Sequence, residues 1–399
     1  MMKGKTIVLG VTGSIAAYKI AGLASSLVKE GCEVHVVMTR NATNFINPIT
    51  FETLTSNKCL VDTFDRNFEF HVAHVSLAKK ADAILVAPAT ANIIGKMACG
   101  IADDMLSTVI LAAQCPIIVS PAMNTQMFRN SIVQENLQKL AAHGMTVIPP
   151  SVGRLACADV GEGKMPDEAV LMAYLRKAVA CDKDLKGLKV LVTAGPTQEP
   201  IDPVRYITNH STGKMGFAIA RAAMERGAEV TVVYGNTAVE PPLLVNTVKV
   251  RTAAEMLDAV KTHFPQCDIL IKSAAVADYT PAEYHDSKVK KKDGDLTLPL
   301  KRTADILREV SALKQPGQLV CGFSMETENL LENSRKKLVE KGLDLIVANN
   351  LNDQGAGFGV DTNVVTLISR KDAEQLPILT KEEVAHRILD HLLTQRKTL

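Results

Sequence analysis

The sequence predicts an α/β protein made of two doubly wound, Rossmann-like domains with mainly parallel sheets. Three observations predict it. Short, near-continuous apolar runs alternate with amphipathic stretches, the pattern of parallel strands covered on both faces. That pattern stops at a polar segment, DKDLKGLK (182–189), and then restarts. One phrase also occurs in both halves: LASSLVKEGCEVHVVM and IARAAMERGAEVTVVY each read as amphipathic helix, glycine stop and β-branched strand. With 399 residues the chain can hold two cores, at roughly 100–200 residues per domain. The expected domains are 1–181 and 182–399.

In the first half, TIVLGV (6–11) reads as a buried strand, IAAYKIAGLASSLVKEG (15–31) as a helix, and EVHVVM (33–38) as the next strand. DAILVA (82–87), PIIVS (116–120) and TVIPP (146–150) repeat the strand pattern. DKDLKGLK is then expected to be a linker. After it, KVLVTAG (189–195) is a strand with a glycine turn, and GFAIARAAMERGAEVTVVYG (216–235) is helix, glycine, strand. DILIKSA (268–274), LVCGF (319–323) and DLIVANN (344–350) are later strands, and KEEVAHRILDHLLTQ (381–395) is a closing helix. Ligands of such sheets sit beyond the carboxyl ends of the strands, so the loops after the apolar runs are the informative ones.

Composition narrows the function. Residues 1–184 carry 17 Lys and Arg against 16 Asp and Glu, and the remainder carries 28 against 27. Two halves of +1 each lack the basic excess of a nucleic-acid binder. The basic cluster KVKKK (288–292) is local. The eight cysteines form no CxxC, which argues against thiolate metal sites and for buried thiols in a reducing compartment. No signal-peptide pattern and no long apolar span is legible, so the expectation is a cytoplasmic protein without a membrane partner.

In the first half, GVTGSIAA (10–17) follows a strand and opens a helix. Gly13 permits close backbone approach, and Ser14 offers a hydroxyl to a phosphate held by free N–H groups. It is not GxGxxG. The second strand ends in Met38-Thr39 with no acidic residue, which fits a monophosphate better than an adenosine ribose. PATAN (88–92) and PAMN (121–124) follow strands too, and simple turn chemistry explains them equally well. HVAHVSLAKKAD (71–82) offers His71 and His74 without ranking them. RLACADVGEGKM (154–165) holds a lone thiol, Cys157, between small residues.

TGSIAAYK, HVSLAKKAD, PATANIIGKMACGIADD, PAMNTQMF and RLACADVGEGKM, in this order, resemble the flavin-dependent cysteine decarboxylases, a family that includes phosphopantothenoylcysteine decarboxylase. The resemblance implies FMN bound by Gly13, Ser14, Ile15, Thr39, Phe45, Ala89, Thr90 and Asn92. Thr90 stands where the family often has Ser. It implies His74, rather than His71, as the catalytic base, Asn124 as the group that holds the substrate carboxylate, and Met127 as a wall of the pocket. Cys157 would donate a proton when the hydride returns to the substrate, with the neighbouring glycines letting a flap fold over it. The chemistry is coherent: a carboxylate β to a thiol leaves only when the C–S end is oxidised to a thioaldehyde, which gives the electron pair a sink.

The second half has its own loops. TAGPTQEPIDPVRYITNHSTGKMG (193–216) joins a strand to a helix. STGKMG fails as a Walker A motif, because Thr208 stands at the first glycine position and Met215 at the Ser/Thr position. Ser211, Thr212 and Gly213 nevertheless suit either a phosphate or a plain helix cap. KSAAVADYTP (272–281) delivers Asp278, and SKVKKKDGD (287–295) brings lysines that suit a polyphosphate or simply solvent.

AGPTQEPIDPVRYITNHSTGKMG, AAVADY, KVKK, ADIL and GFSMET together resemble the phosphopantothenate–cysteine ligases. The whole chain therefore resembles the bifunctional coenzyme A biosynthesis proteins, in which the ligase follows the decarboxylase and makes its substrate. The resemblance implies activation of 4′-phosphopantothenate by CTP through an acyl-cytidylate, attack by the amine of L-cysteine, and Mg²⁺ with the CTP phosphates. Asn209 and Lys288 would be catalytic, with Asn209 also at the substrate. Ser211, Gly213, Asp278, Lys288, Thr303, Ala304, Asp305, Ile306, Phe323, Lys337 and Lys341 would bind CTP. Ala304 replaces the usual Pro, and Ser324-Met325 replace small residues. A homo-oligomer is implied, a dodecamer of decarboxylase trimers linked by ligase dimers. The alternative is a decarboxylase whose second domain is a non-catalytic binding or regulatory module.

Overall fold

The computed structural model describes residues 2–64, 73–154, 160–290, 297–326, 329–350 and 359–397. The chain divides into two compact units, Met1–Asp182 and Lys183–Leu399.

The first unit begins with β1 (Thr6–Val11), a 3-10 turn (Ile15–Lys19), α1 (Ile20–Lys29) and β2 (Glu33–Met38). The helix expected from residue 15 starts five residues later, because the chain leaves β1 sharply and winds tighter first. Next come α2 (Pro48–Thr55), α3 (Ala73–Lys80), β3 (Ala83–Ala89), α4 (Ala91–Cys99) and α5 (Met105–Ala112). Asp104 and Ser107 close a capping box on α5, and Lys96 of α4 pairs with Asp103 at 2.7 Å and Asp104 at 2.9 Å, bracing the two helices. Then follow β4 (Ile117–Pro121), α6 (Thr125–Arg129), α7 (Ser131–Ala142), β5 (Thr146–Val147), the antiparallel hairpin β6 (Ser151–Arg154) and β7 (Val160–Lys164), and α8 (Glu168–Val179).

The sheet order is β2-β1-β3-β4-β5, all parallel. This is the doubly wound order in which strand direction of travel reverses between β1 and β3, and a flavin site is expected at that switch point. One apolar cluster lies on each face. Leu9, Leu85 and Ile20 belong to one, and Val8, Ile84 and Leu106 to the other.

The second unit runs β8 (Lys189–Ala194), the hairpin β9 (Gln198–Pro200) and β10 (Tyr206–Thr208), α9 (Lys214–Glu225), β11 (Glu229–Tyr234), β12 (Asn246–Lys249) and α10 (Ala253–His263). It continues with β13 (Ile269–Lys272), the pair β14 (Tyr279–Pro281) and β15 (Leu300–Arg302), α11 (Ile306–Ser311), β16 (Leu319–Glu326), α12 (Leu330–Glu340) and β17 (Leu345–Asn350). It ends with β18 (Thr362–Asn363), β19 (Val365–Ser369), β20 (Ala373–Gln375), β21 (Leu379–Thr380) and α13 (Lys381–Arg396).

Its main sheet is β12-β11-β8-β13-β16-β17-β19-β20. The first six strands are parallel and reverse travel between β8 and β13; β19 and β20 extend the sheet antiparallel. The antiparallel edge was not legible from apolar runs alone. Gly216 lets α9 lie directly on β8: a Cβ there would come within 2.6 Å of Ala194 Cβ.

The expected linker is instead docked. Leu185 is fully buried in the second core, and Asp184 takes two bonds from Arg226, from Nε at 2.8 Å and Nη2 at 2.6 Å. Its polar sequence reflects surface ion pairing around one apolar anchor. Among the described residues no helix is long and apolar enough to cross a membrane. The described cysteines are free thiols; burial pushes Cys32 up to about 11 and Cys59 and Cys267 up to about 12.

Candidate active sites

In the first unit the loops after β1, β2 and β3 converge. Thr12 Oγ1 donates to Pro88 O at 2.6 Å and accepts from Thr90 N at 3.1 Å, tying the β1 loop to PATAN. Thr39 N donates to Val11 O at 3.0 Å, and a Cβ on Gly13 would meet Asn41 Cβ at 2.7 Å, so the β1 and β2 loops also abut. Ser14 caps the 3-10 turn, accepting from Ala16 N. The Thr39 hydroxyl is buried without a hydrogen-bond partner among the described residues. A buried hydroxyl is costly unless something meets it, and an anion seated on this cradle would.

A cavity of about 600 Å³ opens beside these loops, lined by Ser14, Ile15, Tyr18, Asn124, Arg154 and Lys164 among others. Asn124 caps α6 with its Oδ1, which accepts from Gln126 N at 2.8 Å. The β6–β7 hairpin is pressed onto this loop. Met123 N donates to Gly163 O at 3.0 Å, and Thr125 Oγ1 donates to Glu162 O at 2.8 Å. A Cβ on Gly163, at φ +117°, would fall 2.3 Å from Met123 O, and one on Gly161 would fall 2.5 Å from Thr125 Oγ1. Gly163 thus permits close approach of the Met123 backbone, and Gly161 that of the Thr125 side chain. Cys157 and His71 lie outside the described residues.

The other first-unit residues are dispersed around this centre. Ala89 is fully buried, and Thr90 caps α4. Asn92 is exposed, as are Phe45 and Met127. His74, half-buried near the start of α3, is not among the described residues that line the cavity.

In the second unit a cavity of about 470 Å³ sits at the β8/β13 switch point. It gathers Asn209, Ser211 and Gly213 from the loop before α9, Asp278 from the loop after β13, and Phe323 from β16. Asn209 Nδ2 donates to Ala275 O at 3.0 Å, and Ala277 N donates to the buried Thr197 Oγ1 at 3.1 Å. Thr303 Oγ1 donates to Ala277 O at 2.6 Å, bringing the TADI loop, with its exposed Ala304, against Asp278. Asp305 caps α11 and pairs with Lys341 at 2.8 Å. Burial alone would raise the Asp305 carboxyl, but Lys341 and the helix N–H groups outweigh it and hold it low. Ile306 is a core residue, so its side chain faces away from any ligand. Lys337 Nζ reaches Ser324 Oγ at 3.4 Å, at the cavity wall. Lys288 is exposed and outside the cavity lining.

Residues 1–180 match the family model described as flavoprotein, and residues 185–395 match that described as DNA/pantothenate metabolism flavoprotein C-terminal domain. The chain is 44% identical to the coenzyme A biosynthesis bifunctional protein CoaBC of Bacillus subtilis, over 100% of this chain and 98% of that one. It is 42% identical to the protein of the same description from Escherichia coli K12, over 99% and 98% respectively. The chain belongs to the family of bifunctional coenzyme A biosynthesis proteins. A solved C-terminal domain of a CoaBC protein is 43% identical, covering 55% of this chain and 100% of its own, with a TM-score of 0.48.

This member of the family is thus a flavoprotein with two activities, a decarboxylase and a ligase of coenzyme A biosynthesis. The reading of the second half as a non-catalytic module is not favoured. Sequence reasoning missed several residues of its sites. Thr12 was hidden in a turn motif read for its glycine. Arg154 and Lys164 flank the Cys157 loop and charge its cavity. Asn349 lines the second-unit cavity with a buried Oδ1 that has no partner among the described residues. Its one signal was an Asn-Asn pair ending a strand. Lys381, read only as the start of the closing helix, is nearly buried and also lines that cavity.

Lys272, half-buried at the end of β13, precedes Ser273 of that cavity's lining. Burial, then the Lys341 charge, lower its pKa from 10.5 to about 8. Below about pH 8 the ammonium is charged in folded and unfolded chains alike, and its burial costs stability. Between about 8 and 10.5 the folded chain releases the proton while the unfolded chain keeps it, so stability rises with pH across that window. In urea titrations, wild type is therefore expected to gain on Lys272→Met from pH 8 to pH 10. Parallel midpoints across that range would show that Lys272 keeps an ordinary pKa.

Proposed function

We propose that unit Met1–Asp182 is an FMN-dependent phosphopantothenoylcysteine decarboxylase and unit Lys183–Leu399 a CTP-dependent phosphopantothenate–cysteine ligase. The observation that carries the reading is the gathering of Asn209, Ser211, Gly213 and Asp278 in one cavity at a topological switch point. In the ligase step CTP and 4′-phosphopantothenate yield pyrophosphate and an acyl-cytidylate, and the amine of L-cysteine then displaces CMP. Ser211 and Gly213 offer N–H groups to phosphate oxygens at the start of α9. Asn209, held through Ala275, meets the acyl-phosphate region. Phe323 flanks the base. Lys288, Lys337 and Lys341 neutralise the charge that develops as pyrophosphate leaves. Asp278 is a carboxylate of the kind that Mg²⁺ takes while keeping most of its contacts with phosphate and water.

The donor set of the first unit fits FMN: the unpartnered Thr39 hydroxyl, the Gly13–Ser14 turn and the Thr12–Thr90 link would hold its phosphate end. When bound, FMN supplies the two-electron sink and source that decarboxylation β to a thiol requires. Asn124 holds the substrate carboxylate with its amide nitrogen, since its oxygen caps α6. Arg154 and Lys164 balance the substrate's phosphate. His74 takes the thiol proton, and Cys157 returns one at the end. A base must come within about 3 Å of its proton, so we assign His74 to the cavity of a neighbouring copy. The exposure of Ile15, Tyr18, Phe45, Ile49 and Met127 around the site supports such an interface, in trimers that ligase dimers link into a dodecamer.

Replacing Thr39 by Val is expected to weaken FMN binding about 10–100-fold, the value of a hydrogen bond to a charged group, without loss of folding. Quenching of FMN fluorescence by the apoprotein measures this, and an unchanged Kd would remove Thr39 from the site. The function itself is tested by incubating the purified protein with 4′-phosphopantothenate, cysteine and either CTP, ATP or GTP. Pyrophosphate release with CTP, followed by CO₂ release, is expected. CO₂ release from supplied phosphopantothenoylcysteine without any nucleotide-dependent ligation would overturn the ligase assignment.

A further inference from the structure

Asp202 lies in the β9–β10 turn and has no role assigned above, yet its side chain is fully buried. Both oxygens are occupied. Oδ1 accepts from Val204 N and Arg205 N, each at 2.8 Å. Oδ2 accepts from Arg205 Nε at 3.0 Å, Arg205 Nη2 at 2.5 Å and Val289 N at 3.1 Å. The same Arg205 Nη2 donates to Val289 O at 2.8 Å. The Asp202–Arg205 pair thus grips both backbone groups of Val289, the residue after Lys288. A second tie, His285 N to Ile201 O at 3.1 Å, holds the segment on the other side of Lys288. The Arg205 hydrogen bonds, with the three backbone N–H groups, keep the Asp202 carboxyl far below the usual carboxylate range, so it is an anion at any working pH.

We infer that Asp202 is a positioning residue of the ligase step, setting the place of Lys288 by clamping the Val289 peptide groups. The inference rests on the reading that Lys288 serves the CTP phosphates. A lysine on an exposed polar segment must be ordered before it can neutralise charge, and ordering even one residue costs enough to change a rate several-fold. Asp202 supplies that order before the nucleotide arrives. A neutral amide at 202 has only one acceptor atom, and its N–H₂ end opposes Arg205. Asp202→Asn therefore loosens Arg205 and Val289 together.

The test is a double-mutant cycle in the full-length protein, reading kcat/KM for CTP, with its decarboxylase rate as internal control. Asp202→Asn alone is expected to lose about tenfold, Lys288→Gln more, and the double variant no more than Lys288→Gln. Multiplying losses, or a normal Asp202→Asn beside an impaired Lys288→Gln, overturn the inference alone. A normal Lys288→Gln overturns the reading of Lys288 and the inference with it. Should Asp202→Asn misfold, Arg205→Lys replaces it in the cycle, because it keeps the charge but loses the planar fork that reaches Val289.

Discussion

His74→Ala is expected to lower decarboxylation of phosphopantothenoylcysteine by about 10²–10⁴-fold, the contribution of a positioned general base. CTP-dependent pyrophosphate release by the same preparation should be unchanged, because His74 lies in the other compact unit. The effect is separable from folding. His74 is half-buried near the open end of α3, whose inward residues Leu77 and Ala78 make the core contacts. Its Asn variant, which keeps the polarity and lacks the basicity, should be nearly as slow. If His74→Ala turns over at the wild-type rate, the base is another group, and His71 is the first to replace. Because the cavity of one chain does not include His74, the same variant offers a second readout. Mixing it with a chain defective at Asn124 should restore activity only if sites are shared between copies.

Arg226→Ala is expected to destabilise the second unit by about 3 kcal/mol. Arg226 is nearly buried, yet it holds Asp184 at 2.6 Å, Asp390 at 2.8 Å and His386 O at 3.2 Å, joining the start of the unit to α9 and α13. Removing it leaves Asp184 and Asp390 without the guanidinium that both hold. The figure is placed at the lower end of the range for broken buried pairs because both carboxylates keep about half their exposure to water. In a unit of this size the change should lower the melting temperature of the ligase half by about 6–12 °C. Asp184→Asn should cost far less, within about 1 kcal/mol, since Asp390 remains. Equal midpoints for wild type and Arg226→Ala in urea would show that the ion pairs merely replace hydration.

Both predictions concern residues of unequal legibility. His74 was selected over His71 by the family resemblance of HVSLAKKAD, since the residues alone ranked neither. Arg226 sat unremarked inside a helix–glycine–strand phrase, because nothing local marks a charge as buried. The same holds for Asp202. Its neighbours EPIDPVRY lie within the long connection read from strand to helix, and its partner Val289 lies 87 residues away. Asn349 and Lys381 entered the ligase cavity only when β17, β18 and α13 were brought beside the β8 loop. Conversely, Lys341 was legible as a cation but its pairing with Asp305 was not, and nothing local told that Arg205 holds the Val289 peptide next to Lys288.

The sequence by itself determined the α/β class and most of the parallel strands with the helices between them. Apolar period, glycine stops and β-branched runs are local properties, and each local choice agrees with the fold. Only the tertiary structure decided the strand orders: a reversal between β1 and β3 in one unit, and between β8 and β13 in the other with an antiparallel edge. It also decided that Gly161 and Gly163 pack closely against Thr125 and Met123 and that Asp202 grips Val289. Strand neighbours and buried polar partners are settled by packing and hydrogen-bond satisfaction between segments far apart in the chain. No window of sequence contains both partners of such a contact.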